Sequence, residues 1–291
     1  MLTKYVIPVG RLAARINHYE CRGVTPIIDY AVEHNTTRAM IDEYVRTKSF
    51  LVHEYPRALH SVKLSSVGMN YDAFDELLKA CTRSAATCVI DAENDAVQNT
   101  VELFANMGKM NPAHRETDIF KTYQMYRKDS MERLLEDMEM FRITDTKHCI
   151  KLVRGAYLLR DKRHGVLFDT KKETDQNYDR AARMLLEHAR RNEDKVAVMF
   201  ATHNPKSIDL IQTCSLPNAS HAVLMGMDQH LRFTDPSYTI NRVVHLPFGP
   251  YSRTYPYMFR RLLENNSILD RLLDIPSSLP ENPKRLGIAP S

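Results

Sequence analysis

Residues 196–204 read Val-Ala-Val-Met-Phe-Ala-Thr-His-Asn. The apolar run Val196–Ala201 has no alternating polar face, and it stops at three polar residues, Thr202, His203 and Asn204. A run of that kind suits a strand buried on both faces, as in a parallel sheet covered by helices. Similar runs recur at Val24–Tyr30, Ser61–Leu64, Cys88–Ala92, Ile119–Tyr123, Cys149–Val153, His221–Met225 and Val243–Leu246. Between them lie helical spacings. Phe74, Leu77, Leu78 and Cys81 follow i, i+3, i+4, i+7, as do Met131, Leu134, Leu135, Met138 and Tyr178, Ala181, Ala182, Leu185. Eight strand candidates, each with room for a helix after it, predict an α/β fold, a (β/α)8 TIM-like barrel; an open α/β sheet is the alternative. The seventh unit is tight, because Met225 to Val243 leaves space for only a short helix.

The rest of the chain sets bounds. Its 291 residues are 43% apolar and 26% charged, which excludes disorder as the main state and any fibrous repeat. No apolar run reaches the length of a membrane span. A net charge of +4 is mild and well mixed, and no nucleic-acid partner is expected. Five scattered cysteines without a CxxC argue against a disulfide framework or a cysteine zinc site. No GxGxxG or P-loop pattern is present. Residues 1–22 read as an extra N-terminal helical arm or the remnant of a presequence. Residues 23–272 hold the barrel units, and the proline-punctuated 273–291 reads as an irregular tail.

A barrel puts its chemistry at the C-terminal ends of its strands. Those ends carry Lys63, Asp91 with Glu93, Gln124, the stretch 151–157, Thr202, His203, Asn204 and His245. No nucleophile has a base beside it: GxSxG is absent, and His148 and Cys149 face opposite sides of a strand. HExxH is absent and no metal site is expected. Lys63 or Lys151 could form a Schiff base, as in an aldolase-like barrel. Cationic and amide donors without a nucleophile also suit the holding of an anionic cofactor and an anionic substrate.

Nine motifs then occur in order: "GVTPIIDYAVE" at 23–33, "SVKLSS" at 61–66, "IDAE" at 90–93, "IFKTYQMYRKD" at 119–129, "KLVRGAY" at 151–157, "ATHN" at 201–204, "LMGM" at 224–227, "LPFGP" at 246–250 and "YPYMFRRLLENNS" at 255–267. Together they resemble the proline dehydrogenase family, and residues 119–157 resemble its eukaryotic, mitochondrial type. The resemblance implies a distorted barrel that binds FAD, oxidises L-proline to pyrroline-5-carboxylate and passes electrons to a membrane quinone. It implies peripheral association with the matrix side of the mitochondrial inner membrane. By motif position it makes Asp91 and Lys151 catalytic and places Lys63, Tyr157, His245, Arg260 and Arg261 around the substrate. Ala92, Gln124, Lys151, Arg154, Gly155, Ala156, Thr202, His203, Asn204 and Glu264 would then contact the cofactor. A guanidinium suits a carboxylate because it offers two parallel donors. Arg260 and Glu264, spaced i, i+4, could equally form an ordinary surface pair.

His245 departs from the family pattern, which usually has tyrosine at that position, and so opens the question of 4-hydroxyproline as substrate. Ala222–Val223 and the stretch from Met227 to Gln229 also differ. Besides proline dehydrogenase, the readings left open are a hydroxyproline dehydrogenase, a Schiff-base barrel, and a barrel that has lost its flavin and acts as a binding partner.

Overall fold

The apolar runs become eight strands, β1 (Val24–Tyr30), β2 (Leu59–Val62), β3 (Thr87–Ile90), β4 (Ile119–Gln124), β5 (His148–Val153), β6 (Val196–Ala201), β7 (Ala219–Leu224) and β8 (Asn241–Phe248). All neighbours pair in parallel, and β8 returns to β1, closing the barrel. This is a computed structural model, and it describes residues 6–32, 36–212, 214–227, 238–255 and 257. The closed barrel excludes the open sheet.

The helices are α1 (Leu12–Glu20), α2 (Arg38–Glu54), α3 (Tyr71–Arg83), α4 (Asp95–Met110), α5 (Ser130–Ile143), the single turn α6 (Leu158–Asp161), α7 (Lys171–Arg191) and α8 (Pro205–Ile211). Their starts follow local chemistry. The Asn70 side chain accepts from the Ala73 amide at the head of α3, and Thr170 with Glu173 forms a reciprocal capping box on α7. The predicted stripes of α3 and α7 are buried in full. On α5 one member fails: Leu135 is exposed, and Asp137 is buried in its place. The reason lies on β4, where Lys121 points outward and meets Asp137 at 2.5 Å. A buried cation requires a partner, and here that need outweighs the apolar face.

The N-terminal arm forms a helix as expected. Its Leu12, Ile16 and Tyr19 join the core beside β1, and the Ile7 amide donates to Pro247 on β8.

Strand alternation divides the barrel into an inside and an outside. Ile27, Val89, Phe120, Cys149, Met199, Ala222 and Val243 pack together as the inner layer. Neighbours such as Ile28, Val62, Ile90, Ile150 and Val244 face the helices. His148 follows the same rule, bonding Tyr123 at 3.0 Å on the outside while Cys149 lies inside. The two therefore form no dyad.

Candidate active site

Two residues beyond Ile27, Val89, Phe120, Cys149 and Val243, and beyond the partly buried Leu59 packed against them, the inward positions turn polar: Asp29 on β1, Asp91 after β3, Thr122 on β4 with Gln124 one step further, Lys151 on β5, His245 on β8 and Ser61 on β2; beyond Met199 and Ala222 they stay apolar, as Ala201 and Leu224. The β2 strand ends one residue before Lys63, earlier than its run suggests. Lys63 begins the 3-10 turn Leu64–Val67, and this aims its side chain into the mouth.

The charged members form one chain. Lys151 Nζ donates to Asp91 Oδ1 at 2.6 Å. Ser61 Oγ donates to Asp91 Oδ2 at 2.6 Å, and Lys63 Nζ lies 3.2 Å from that oxygen. Lys63 also donates to both oxygens of Asp29 at 2.9 Å. His245 Nε2 lies 3.0 Å from Asp29 Oδ2. Burial alone would push both carboxyl pKa values up. Lys151 and Lys63 outweigh it at Asp91, and Lys63 and His245 at Asp29, holding both well below the usual carboxylate range. Burial lowers the pKa of His245 against the pull of Asp29, so near neutral pH the ring is neutral and donates Nε2–H to that carboxylate. Two carboxylates thus balance two ammonium groups.

This geometry bears on the competing chemistries. Asp29, Asp91 and His245 place ligand atoms within 4.8 Å of one another. Lys63 Nζ already lies between the two carboxylates, in the position a cation would take. Both lysines are engaged with carboxylates, so neither presents an amine poised for Schiff-base attack.

The remaining predicted residues lie along the β4–β6 side of the mouth. Gln124 Nε2 donates to the Glu93 carbonyl at 2.8 Å, and Ala92 lies half-buried before it. Glu93 itself accepts from the Ser65 amide, a structural task. Arg154 brackets three elements: Nε to Asp175 at 2.6 Å, Nη1 to Thr202 Oγ1 at 2.7 Å and Nη2 to Ser207 Oγ at 2.8 Å, with its guanidinium 4.3 Å from the Tyr178 ring centre. Three of its five N–H groups are used there. Gly155 has φ +142°, and a Cβ on it would lie 2.5 Å from the Tyr126 ring. Any other residue would displace that ring. Ala156 is half-buried and Tyr157 is buried at the head of α6. His203 Nε2 accepts from the Leu224 amide at 3.3 Å. The Asn204 side chain caps α8 through the amides of Lys206 and Ser207, a local role that its motif did not reveal. Arg260, Arg261 and Glu264 lie outside the described residues, as do residues 273–291 and most of the stretch from Met227 to Gln229.

A family model for proline dehydrogenase matches residues 12–273. The chain belongs to the proline dehydrogenase family. The carbapenem antibiotics biosynthesis protein CarD of Pectobacterium carotovorum is 27% identical over 84% of this chain and 72% of its own length. The human mitochondrial proline dehydrogenase 1 is 29% identical over 67% of this chain and 35% of its own length, and the human hydroxyproline dehydrogenase 30% over 52% and 36%. The chain therefore spans about a third of these two human relatives. Among solved structures, the proline utilization A protein of Bdellovibrio bacteriovorus, inactivated by N-propargylglycine, superposes with a TM-score of 0.78 at 17% identity. The match covers 95% of this chain and 34% of that one, and it establishes the shared fold.

Two parts of the site were missed from sequence. Asp29 interrupts an apolar run one residue before its end, yet it stands two residues beyond the inward Ile27, the same step that separates Val243 from His245. Asp161 ends the single turn α6. It accepts from Tyr126 Oη at 2.6 Å and from the Asp95 amide at 2.9 Å, tying three mouth loops together. No local spacing announces that contact.

Proposed function

We propose that this proline dehydrogenase family member oxidises L-proline to pyrroline-5-carboxylate with FAD as its cofactor, electrons passing on to a membrane quinone. The observation that carries the reading is the inward chain Lys151–Asp91–Lys63–Asp29–His245 at the barrel mouth. The residues fit the cofactor. Lys151 and Gln124 offer a cation and an amide at adjacent strand ends, Arg154 adds a guanidinium above a buried aromatic ring, and Gly155, without a Cβ, lets its backbone pack against the Tyr126 ring. Ala92, Gln124, Lys151, Arg154, Gly155, Ala156, Thr202, His203 and Asn204 are the residues that would hold it, with Glu264 joining on the resemblance. Bound there, FAD would supply a two-electron acceptor.

The chain's own groups do the positioning. Asp91 stays ionised through the working pH range and fixes both ammonium groups against the floor of the mouth. Lys63, held between Asp29 and Asp91, is assigned on resemblance to the substrate side. Arg260 and Arg261 are assigned on resemblance to clamp the substrate carboxylate, and Tyr157 to pack on the substrate. The apolar layer beneath keeps bulk water from entering below, which strengthens each polar contact above it. Relatives carrying mitochondrial names support a mitochondrial location, while the Pectobacterium relative supports a bacterial one.

A second reading, 4-hydroxyproline as an accepted substrate, is favoured by His245. This side chain places a polar ring edge in the mouth, and hydroxyproline dehydrogenases stand among the relatives. One experiment tests the main reading: an anaerobic absorbance spectrum of the protein with added FAD, before and after L-proline. Bleaching of the flavin bands is expected. Bound flavin that hydroxyproline bleaches and proline does not would favour the second reading. Absence of bound flavin would point to a barrel that has lost its cofactor.

A further inference from the structure

The segments that lead into β4 and β5 lie at the end of the barrel opposite the mouth, and they bound a cavity of about 190 Å³. Lys109, Arg115 and Lys147 line it together with Thr117, Thr144 and Thr146, and no aspartate or glutamate stands among the described residues of its wall. Lys109, in the last turn of α4, is 6% exposed. Its Nζ donates to the Ile119 carbonyl at 2.7 Å and lies 4.9 Å from the Phe141 ring centre, which leaves two N–H groups for a further acceptor. The acids whose charge reaches it are taken, Asp118 by Lys147 at 2.6 Å and Asp137 by Lys121. Arg115 is exposed, and its side chain makes no ion pair or hydrogen bond among the described residues. Asp145, the acid that feels its charge, pairs with Lys195. His114, also in the wall, is bonded to Asp75. Only Lys147 of the three cations is thus neutralised. Helix C-termini would add negative charge here, but the Met107 carbonyl of α4 and the Met140 and Phe141 carbonyls of α5 accept from the amides of Asn111, Thr144 and Thr146.

We propose that this cavity is a second binding site, which takes a small oxyanion: a phosphate, or the carboxylates of a short organic diacid. A buried ammonium without a carboxylate is costly, and an anion beside it removes that cost. Arg115 adds a planar fork suited to phosphate and carboxylate oxygens alike, and the threonine hydroxyls stand on the same wall. Met110 and Ile119 make part of the wall apolar, which strengthens each charged contact. The volume limits the ligand. It falls below the roughly 300–1,000 Å³ of pockets that hold drug-sized molecules, so a nucleotide or a flavin does not fit. The site lies at the far end of the barrel from the redox chemistry, and binding there requires neither flavin nor proline.

The test is titration calorimetry of the full chain with inorganic phosphate and with succinate, at constant ionic strength set by chloride. Saturable binding of one ligand per chain is expected, and the tighter of the two probes assigns the site to phosphates or to diacids. K109M and R115Q should each weaken it about tenfold to a hundredfold, the worth of one hydrogen bond from a charged donor. R38Q removes an exposed cation at the head of α2, on the opposite end of the barrel, and should change it little. Should K109M fail to fold, R115Q at the exposed rim carries the comparison. A second readout follows the proton. Burial lowers the Lys109 pKa from 10.5 to about 8, and a bound anion raises it again. Succinate is fully ionised at pH 8, so its binding there should take up protons, seen as an enthalpy that changes with the ionisation heat of the buffer, and K109M should abolish that change. Absence of saturable binding by both probes, affinity unchanged in K109M and R115Q, or an equal loss in R38Q would overturn the site. Binding without proton uptake at pH 8 would place the anion away from Lys109 and overturn it too.

Discussion

Two clusters of buried charge occupy opposite faces of the same barrel wall. Inside, Asp29, Lys63, Asp91, Lys151 and His245 line the mouth. Outside, Lys121 meets Asp137 at 2.5 Å and Glu102 at 3.6 Å, Tyr123 donates to Asp137 at 2.6 Å, and Asn106 donates to it at 3.0 Å. Pair lengths and burial barely distinguish the two clusters. Placement does. The outer cluster lies between β4, β5, α4 and α5, its Glu102 side chain 18% exposed on the helix side, whereas the inner one stands at strand ends, where the Asp91 and His245 side chains keep 12% and 14% exposure. A buried ion pair is therefore no sign of chemistry by itself; strand parity and strand end decide which cluster can meet a ligand.

The contrast breaks most sharply under truncation. Asp137→Ala leaves Lys121 only the longer contacts to Glu102 and Asn106 and takes the acceptor of the Tyr123 hydroxyl, and should cost about 3 kcal/mol of folding stability, read from urea denaturation. Flavin binding by the folded fraction should be unchanged. Asp91→Asn keeps its shape and leaves Lys63 paired with Asp29; Lys151 loses its carboxylate but can still donate to the asparagine oxygen, so the folding cost should be nearer about 1–2 kcal/mol. Its proline-dependent flavin reduction should fall about a hundredfold. Equal stability losses in the two variants would make the inner cluster a structural one as well. The pH limb separates them further. Asp29 and Asp91 have folded pKa values below the unfolded value of 3.8, so their stabilisation is present above it and lost as pH falls through the depressed values. Asp91→Asn should flatten that acid limb.

A smaller effect concerns buried lysines that no carboxylate pairs with among the described residues. Lys48 donates to the Ile28 carbonyl at 3.0 Å and Lys109 to the Ile119 carbonyl at 2.7 Å, both on the outer side of the wall. Burial lowers each from 10.5 to about 8. Between those values the unfolded chain binds more protons than the folded one, so stability rises with pH across that window. Lys109→Met keeps an apolar stem and should add about 1 kcal/mol near neutral pH, the lost bond to Ile119 offsetting part of the gain. It should also remove its share of the alkaline rise in urea midpoints. An unchanged rise would show that the Lys109 ammonium reaches water.

The strands were legible because burial on two faces leaves near-continuous apolar runs, and β1 and β6 match their runs residue for residue. Lys63, Asp91, Lys151 and His245 were legible as polar residues ending such runs. Asp29 was not, since one carboxylate inside "PIIDYAV" draws no notice until the parity of Ile27 is followed upward. Leu135 was misplaced because helix periodicity says nothing of a cation on the facing strand. The bonds of Asp161 to Tyr126 and of Arg154 to Asp175 join residues 35 and 21 positions apart on separate segments, which share no period to read.

The finest distinction within the inner cluster is at its rim. His245 donates one ring nitrogen to Asp29, which leaves the other as an acceptor at the mouth; that assignment follows from the Asp29 contact. An acceptor there can take the hydroxyl proton of 4-hydroxyproline, whereas for proline it meets only C–H. Tyrosine fills the position with a larger ring and, with its hydroxyl committed to Asp29, offers that substituent no comparable acceptor. One hydrogen bond at a partly exposed position is worth about 1 kcal/mol. His245→Tyr should therefore raise the preference for proline over hydroxyproline, as kcat/KM, by about fivefold to tenfold. Stability should move little, because Lys63 continues to hold Asp29. A ratio unchanged by the substitution would remove His245 from specificity and leave it as the outer partner of Asp29, making the rim resemble the structural cluster behind β4.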